Sequence, residues 1–135
     1  MNLITIQSTI NASINKVWDC FTLPTHVINW NFASPDWHCP SAENDFTAGG
    51  EFHYTMAAKD GSFSFDFWGT FNAIENNKYI DITLGDGRKM LVNFMEVNNA
   101  TIIVESFEAE NVNPVDIQQA GWQAILDNFR KYVEA

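Results

Sequence analysis

Three histidines, His26, His38 and His53, are the side chains of this chain whose ordinary pKa puts a proton exchange close to neutral pH. None of them falls in a spacing that carries a mechanism. The chain has no His-Glu-x-x-His pair, no Gly-x-Ser-x-Gly elbow and no glycine-rich phosphate loop, so the local signatures of zinc hydrolases, serine esterases and nucleotide enzymes are missing. His38-Cys39 offers two soft ligands, but tetrahedral zinc needs more, and no neighbouring residue supplies them. No metal and no cofactor is therefore expected. His38 still stands out, because Asp36-Trp37-His38 follows two short helical segments where a loop could close over the open end of a sheet. The ordinary reading of such a histidine is a hydrogen-bonded, partly buried side chain. The chemical reading makes His38 or Tyr54 an acid/base group at a cavity mouth. Period two puts Phe52, Tyr54 and Met56 on one strand face and Glu51 and His53 on the other, so His53 is expected to face solvent. Asp66 and Asp81 read as solvated outer-face charges. No catalytic residue is assigned, and a binding role is expected ahead of an enzymatic one.

The elements that would position these groups follow from periodicity and turn chemistry. Leu3 to Ile10 alternates and is rich in β-branched residues, which predicts a strand. Asn11 or Ser13 caps a helix with Ile14, Val17, Trp18 and Phe21 on one face, and Pro24 ends it and opens a second short helix carrying Val27, Ile28 and Trp30. Trp37 to Phe46 is weakly patterned, and Pro40 points to an edge strand or an irregular connection. After Gly49-Gly50, the pairs Asp60-Gly61, Asn76-Asn77, Asp86-Gly87 and Asn98-Asn99 tolerate the positive φ of tight hairpin turns. They divide the chain into a meander of strands over 51–58, 62–74, 78–84, 88–97 and 101–108. Within it Phe63, Phe65, Phe67, Gly69, Phe71 and Ala73 share one face, which must meet a buried partner. That partner is a helix opening at Asn113-Pro114. Ile117, Gly121, Ala124, Ile125, Asn128, Phe129 and Tyr132 are expected along its inner side, flanked by Trp122, Leu126 and Val133. The order is α+β, in a single domain over 1–135.

Composition narrows the function classes. With 135 residues, 46% of them hydrophobic and 14% aromatic, the chain can bury a core without disulfides or metals. Seventeen acidic residues against seven basic ones give a formal charge of −10, which repels phosphate backbones and anionic headgroups. Nucleic acid is not an expected partner. No apolar run approaches a membrane span, and no basic segment leads into an apolar stretch at the N-terminus, so cytoplasmic residence is expected. Cys20 and Cys39 read as reduced thiols.

Several motifs, taken in order, resemble one family. They are Val17-Trp18 with Phe21-Thr22, Trp30, Gly49-Gly50-Glu51-Phe52 with Met56, Asp60-Gly61, Gly69-Thr70-Phe71, and the run Gly121-Trp122-Gln123-Ala124-Ile125-Leu126-Asp127-Asn128-Phe129. The chain is similar over nearly its whole length to the SRPBCC superfamily, also called START-like or birch-pollen-allergen-like. The resemblance is to the subgroup related to the C-terminal domain of the heat-shock protein 90 ATPase activator. It implies a helix-grip fold, a curved antiparallel sheet wrapped around a long C-terminal helix, with two short helices after the first strand. It also implies a cavity between sheet and helix that takes lipids, polyketides or other small apolar molecules. Relatives of this kind include cyclases, hydrolases, carriers and chaperone co-regulators, so the resemblance does not choose an activity.

A filled core is the ordinary reading of the phenylalanine stripe, but small Gly69 and Gly121 on facing surfaces leave room for a ligand. The cavity is expected to draw on Trp30, Trp37 and His38 from the helical side and on Phe52, Tyr54 and Met56 from the first hairpin. Phe65, Phe67, Phe71, Val92 and Phe94 are expected from the later strands, and Gly121, Trp122, Ile125 and Phe129 from the last helix. The expected partner is a small apolar molecule. A homodimer is compatible with this reading, and a cyclase- or hydrolase-like enzyme or a chaperone co-regulator are the alternatives.

Overall fold

The computed structural model describes residues 2–135. Along the chain come β1 (Leu3–Ile10), α1 (Ile14–Thr22), α2 (Pro24–Val27), β2 (Trp37–Asn44), β3 (Glu51–Ala58), β4 (Ser64–Glu75), β5 (Tyr79–Leu84), β6 (Lys89–Val97), β7 (Ala100–Glu108) and α3 (Val115–Glu134). The strands form one antiparallel sheet in the order β1-β7-β6-β5-β4-β3-β2. Strands β2 to β7 are a meander of hairpins, while β1 and β2 lie at opposite edges. The two short helices must therefore carry the chain across the whole width of the sheet. This is the curled α+β architecture closed by a long C-terminal helix that the sequence predicts.

The turns form where the residue chemistry places them. Gly61, Asn77, Gly87, Asn98 and Asn99 all have positive φ, and Gly49 does the same between β2 and β3. Ser13 caps α1 by accepting from the Lys16 amide at 3.3 Å. Leu23 ends α1 and precedes Pro24, whose fixed φ starts α2 at once. Helix α2 is a single turn that stops at Val27, so Trp30 lies beyond it, its indole Nε1 donating to the Cys20 carbonyl at 2.9 Å. Strand β2 is an edge strand whose register with β3 shifts between His38 and Ser41, on either side of Pro40.

Three expectations about faces are corrected. Phe63 precedes β4 and is 58% exposed, and Phe65 is 43% exposed, so the outer end of the phenylalanine stripe runs past the helix that was to cover it. There the two rings gather around Trp37, with centroids at 6.1 and 6.2 Å. Further along β4 the register with β5 shifts between Phe71 and Ala73. That extra residue reverses the alternation, and Ile74 rather than Ala73 packs against the core. In α3 the buried residues are Gln118, Leu126, Phe129 and Val133, whereas Ile117 is 60% exposed. The inner stripe is rotated from the expected one because Gln118 is polar, which an apolar count places outside. Its amide is satisfied inside, donating through Nε2 to the Asn113 carbonyl at 2.7 Å and the Glu110 carbonyl at 3.1 Å, and accepting from the Glu110 amide at 2.9 Å.

Candidate ligand cavity

The concave face of the sheet and the N-terminal half of α3 form a cavity of about 550 Å³ that opens at a rim carrying Phe65 and Ile117. Its sheet wall is built by alternation: Phe52, Tyr54 and Met56 from β3, Phe65, Phe67 and Phe71 from β4, Ile80 and Ile82 from β5, and Met90 from β6. Phe52 is the hub of this wall, with ring centroids 4.9 Å from Tyr54, 5.6 Å from Phe67 and 5.4 Å from Phe71. The roof is Gly121, Trp122 and Ile125, with Ile117 and Gln118 toward the helix start. Trp122 is held by stacking on Phe107 at 4.1 Å and by an edge contact with Phe67 at 5.6 Å. Phe21, Trp30, Asn31, Trp37 and Phe46 close the end beneath the short helices.

The two glycines singled out by sequence behave differently. A Cβ on Gly121 would meet nothing within 4 Å, so the helix stands clear of the sheet there. A Cβ on Gly69 would lie 2.8 Å from the Thr83 carbonyl oxygen and 2.9 Å from Phe52 Cε1. Gly69 therefore leaves no room for a ligand. It lets the Phe52 ring lie against the β4 backbone.

The structure gathers most of the sequence-predicted cavity residues around this space: Trp30, Trp37, Phe52, Tyr54, Met56 and Phe65, with Phe67, Phe71, Gly121, Trp122 and Ile125. Four lie elsewhere. Val92, Phe94 and Phe129 are buried in the solid core next to the cavity, where Phe94 meets Trp18 edge-on at 4.9 Å and Phe129 meets Trp30 at 4.7 Å. His38 sits on the irregular edge strand and does not line the cavity. Of the two alternative acid/base groups, His38 or Tyr54, it is thus the one away from the cavity. Tyr54 does reach the cavity, but burial pushes its phenol up to about 12, and its oxygen accepts from Asn44 Nδ2 at 3.0 Å.

The other histidines are also accounted for. His53 faces outward between Asp66 (Nδ1 to Oδ2, 2.7 Å) and Glu51 (Nε2 to Oε1, 2.9 Å), stacked on Trp68. The Asp66 hydrogen bond, then the one to Glu51, raises its pKa. His26 shares a 2.6 Å hydrogen bond with the Tyr132 hydroxyl. Among the described residues, no group of three His, Cys, Asp or Glu side chains is placed to hold a metal ion.

Sequence reasoning missed the polar groups of the cavity. Glu105 of β7 lines it with only 5% of its surface exposed. It makes no hydrogen bond or ion pair among the described residues, and burial alone pushes its carboxyl up to about 8. Its cross-strand neighbours are Ile6 on β1 and Val92 on β6, both buried and apolar. Asn31 lines the cavity beside β2, its buried Nδ2 without a nitrogen or oxygen partner and turned to the Cys39 thiol, whose burial-raised pKa it moderates. Arg88, by contrast, is engaged: Nε donates to Asp86 Oδ2 at 2.7 Å and Nη1 to the Glu108 carbonyl at 3.0 Å. Period two was the available signal for Glu105, since Ile103, Glu105 and Phe107 share a face. Ile102 and Val104 make the other face equally apolar, so the alternation did not single it out.

A curled antiparallel sheet closed by a long helix over an apolar cavity defines a helix-grip protein of the SRPBCC kind. The chain belongs to the family described as Activator of Hsp90 ATPase homolog 1-like protein, whose model matches residues 11–134. It is similar to the AHSA1-like protein from Aeromonas hydrophila, with 42% identity, a TM-score of 0.93, and 98% of this chain and 92% of that one covered. It is also similar to a Cytophaga hutchinsonii protein of known solution structure, with 50% identity, a TM-score of 0.86, and 99% and 93% covered. A Nitrosomonas europaea protein shares the fold at 16% identity, with a TM-score of 0.82 and 97% and 93% covered. No curated protein matches the chain.

Proposed function

We propose that this protein binds a small apolar molecule in the cavity between its sheet and the N-terminal half of α3. The observation that carries the reading is the space beneath Gly121, where a helix over a filled core would be in contact with the sheet. About 550 Å³ walled by aromatic and aliphatic side chains is within the range of small-molecule sites. An open apolar cavity of this size leaves its lining without the packing that a native core makes, and a bound apolar molecule restores it. Both thiols are free and buried, which suits a reducing compartment such as the cytoplasm.

Displacement of N-phenylnaphthylamine, an apolar fluorescent probe, by hydrophobic metabolites tests the reading, with thermal shift on the same compounds. Compounds that raise the melting temperature are expected to displace the probe. Stabilising compounds that never compete with it would refute a cavity ligand. The family description supports chaperone co-regulation as a second reading, tested by whether the protein changes the ATPase rate of a heat-shock protein 90 from the same source.

A further inference from the structure

Resting on the cavity reading above, we propose that Glu105 selects the ligand's polar group: the cavity takes an apolar molecule bearing a neutral oxygen, an alcohol or ketone, and turns away the matching carboxylate or amine. A buried carboxyl without a partner is costly to a fold, and the polar atom it lacks must come from whatever occupies the space it faces. Ile6, Val92, Ile103 and Phe107 surround it on the sheet and offer it no donor. The cavity's other titratable or charged groups are Tyr54, Arg88 and Glu110. Tyr54 is bonded to Asn44, Arg88 is held by Asp86 and the Glu108 carbonyl, and Glu110 accepts from the Asn113 amide at 2.6 Å. None is available to counter a charge on Glu105.

The choice of a neutral oxygen follows from that isolation. With its carboxyl pushed up to about 8 by burial, Glu105 is an acid at neutral pH, able to donate to a carbonyl or to exchange hydrogen bonds with a hydroxyl. A carboxylate ligand would bring an anion into the same apolar space, where the lining cation Arg88 is already engaged by Asp86 and the Glu108 carbonyl. An ammonium would first require Glu105 to ionise there and would itself lose its hydration in an apolar space, a cost that a buried ion pair seldom recovers in full. A protonated carboxyl on an apolar wall calls for a neutral oxygen rather than for a cation.

The test compares four probes of one chain length, decanol, decan-2-one, decanoate and decylamine, as competitors of N-phenylnaphthylamine. Decanol and decanone are expected to bind about tenfold or more tightly than decanoate and decylamine at neutral pH. From about pH 6 to about pH 10 their affinity is expected to be flat and then to fall as Glu105 ionises, up to about tenfold per pH unit. E105Q keeps a donor and an acceptor at this place. It is expected to retain decanol, lose the fall at high pH and narrow the gap to decanoate. Equal affinity for all four, or an affinity for decylamine that rises toward pH 8, overturns the proposal while leaving the cavity reading intact. Failure of every decyl compound to displace the probe overturns both. The pH profile is read on the unaltered protein, so the proposal stays falsifiable if the variant does not fold.

Discussion

Helix α3 lies over two different interiors. Its C-terminal half, with Leu126, Phe129 and Val133 buried, presses on β1 and the short helices. There Phe21, Trp30, Phe94 and Phe129 interlock edge to face and face to face at 4.7–5.4 Å. Its N-terminal half leaves Val115 and Ile117 exposed and spans the sheet without contact at Gly121. One continuous helix thus closes a solid core at one end and roofs a cavity at the other. The short helices cause the difference, because they cross the sheet at one end only and bring Trp18, and Trp30 just after them, to that end. Hollow and solid regions can coexist in this fold because the packed end holds the helix in place for the open end.

Truncation at the packed end is expected to break this arrangement most severely. Phe129→Ala removes the ring on which Phe21 and Trp30 pack and is expected to lower stability by about 3–5 kcal/mol in urea unfolding. An effect below that of Gly121→Leu would reverse the assignment of solid and hollow ends.

The next effect lies on the cavity floor. Glu105 holds its proton to about pH 8 when folded but ionises near its ordinary 4.5 when unfolded, so it lowers stability as pH rises between those values. Glu105→Met is expected to raise stability at pH 8 by about 2 kcal/mol and to flatten the decline in melting temperature over that window. An unchanged pH profile would show that the carboxyl is solvated in the folded protein.

Gly121 sharpens the comparison at smaller magnitude. Gly121→Leu is expected to stay within about 1 kcal/mol of the unaltered protein while losing N-phenylnaphthylamine, because its side chain enters open space; in a filled core it would cost about 1–3 kcal/mol. Gly121→Ala is expected to keep the probe and gain up to about 1 kcal/mol from helix propensity. A strongly destabilised leucine variant beside a native-like alanine variant would mean that the roof is packed. Smallest of all, Phe63→Ser at the exposed rim is expected to change stability by no more than about 0.5 kcal/mol.

Local chemistry in the sequence determined the elements. Positive-φ residues at each hairpin turn, the Ser13 cap, Pro24 between the short helices and the alternation of Phe52, Tyr54 and Met56 all act over a few residues, and the fold preserves them. Tertiary structure decided where each face points once the strands are curled. The bulge after Phe71 reverses the phase of β4, and Gln118 turns α3 by capturing the backbone at Glu110 and Asn113. It also separated Gly69, filled by the Phe52 ring, from Gly121, which stands over open space, although the sequence presents the two alike. Glu105 is the sharpest case. In the sequence it is one acid in a strand apolar on both faces. Only its place between Ile6 of β1 and Val92 of β6 on the covered face of the sheet makes it an isolated buried acid, because burial and the absence of a partner belong to the packed chain and to no local stretch of it.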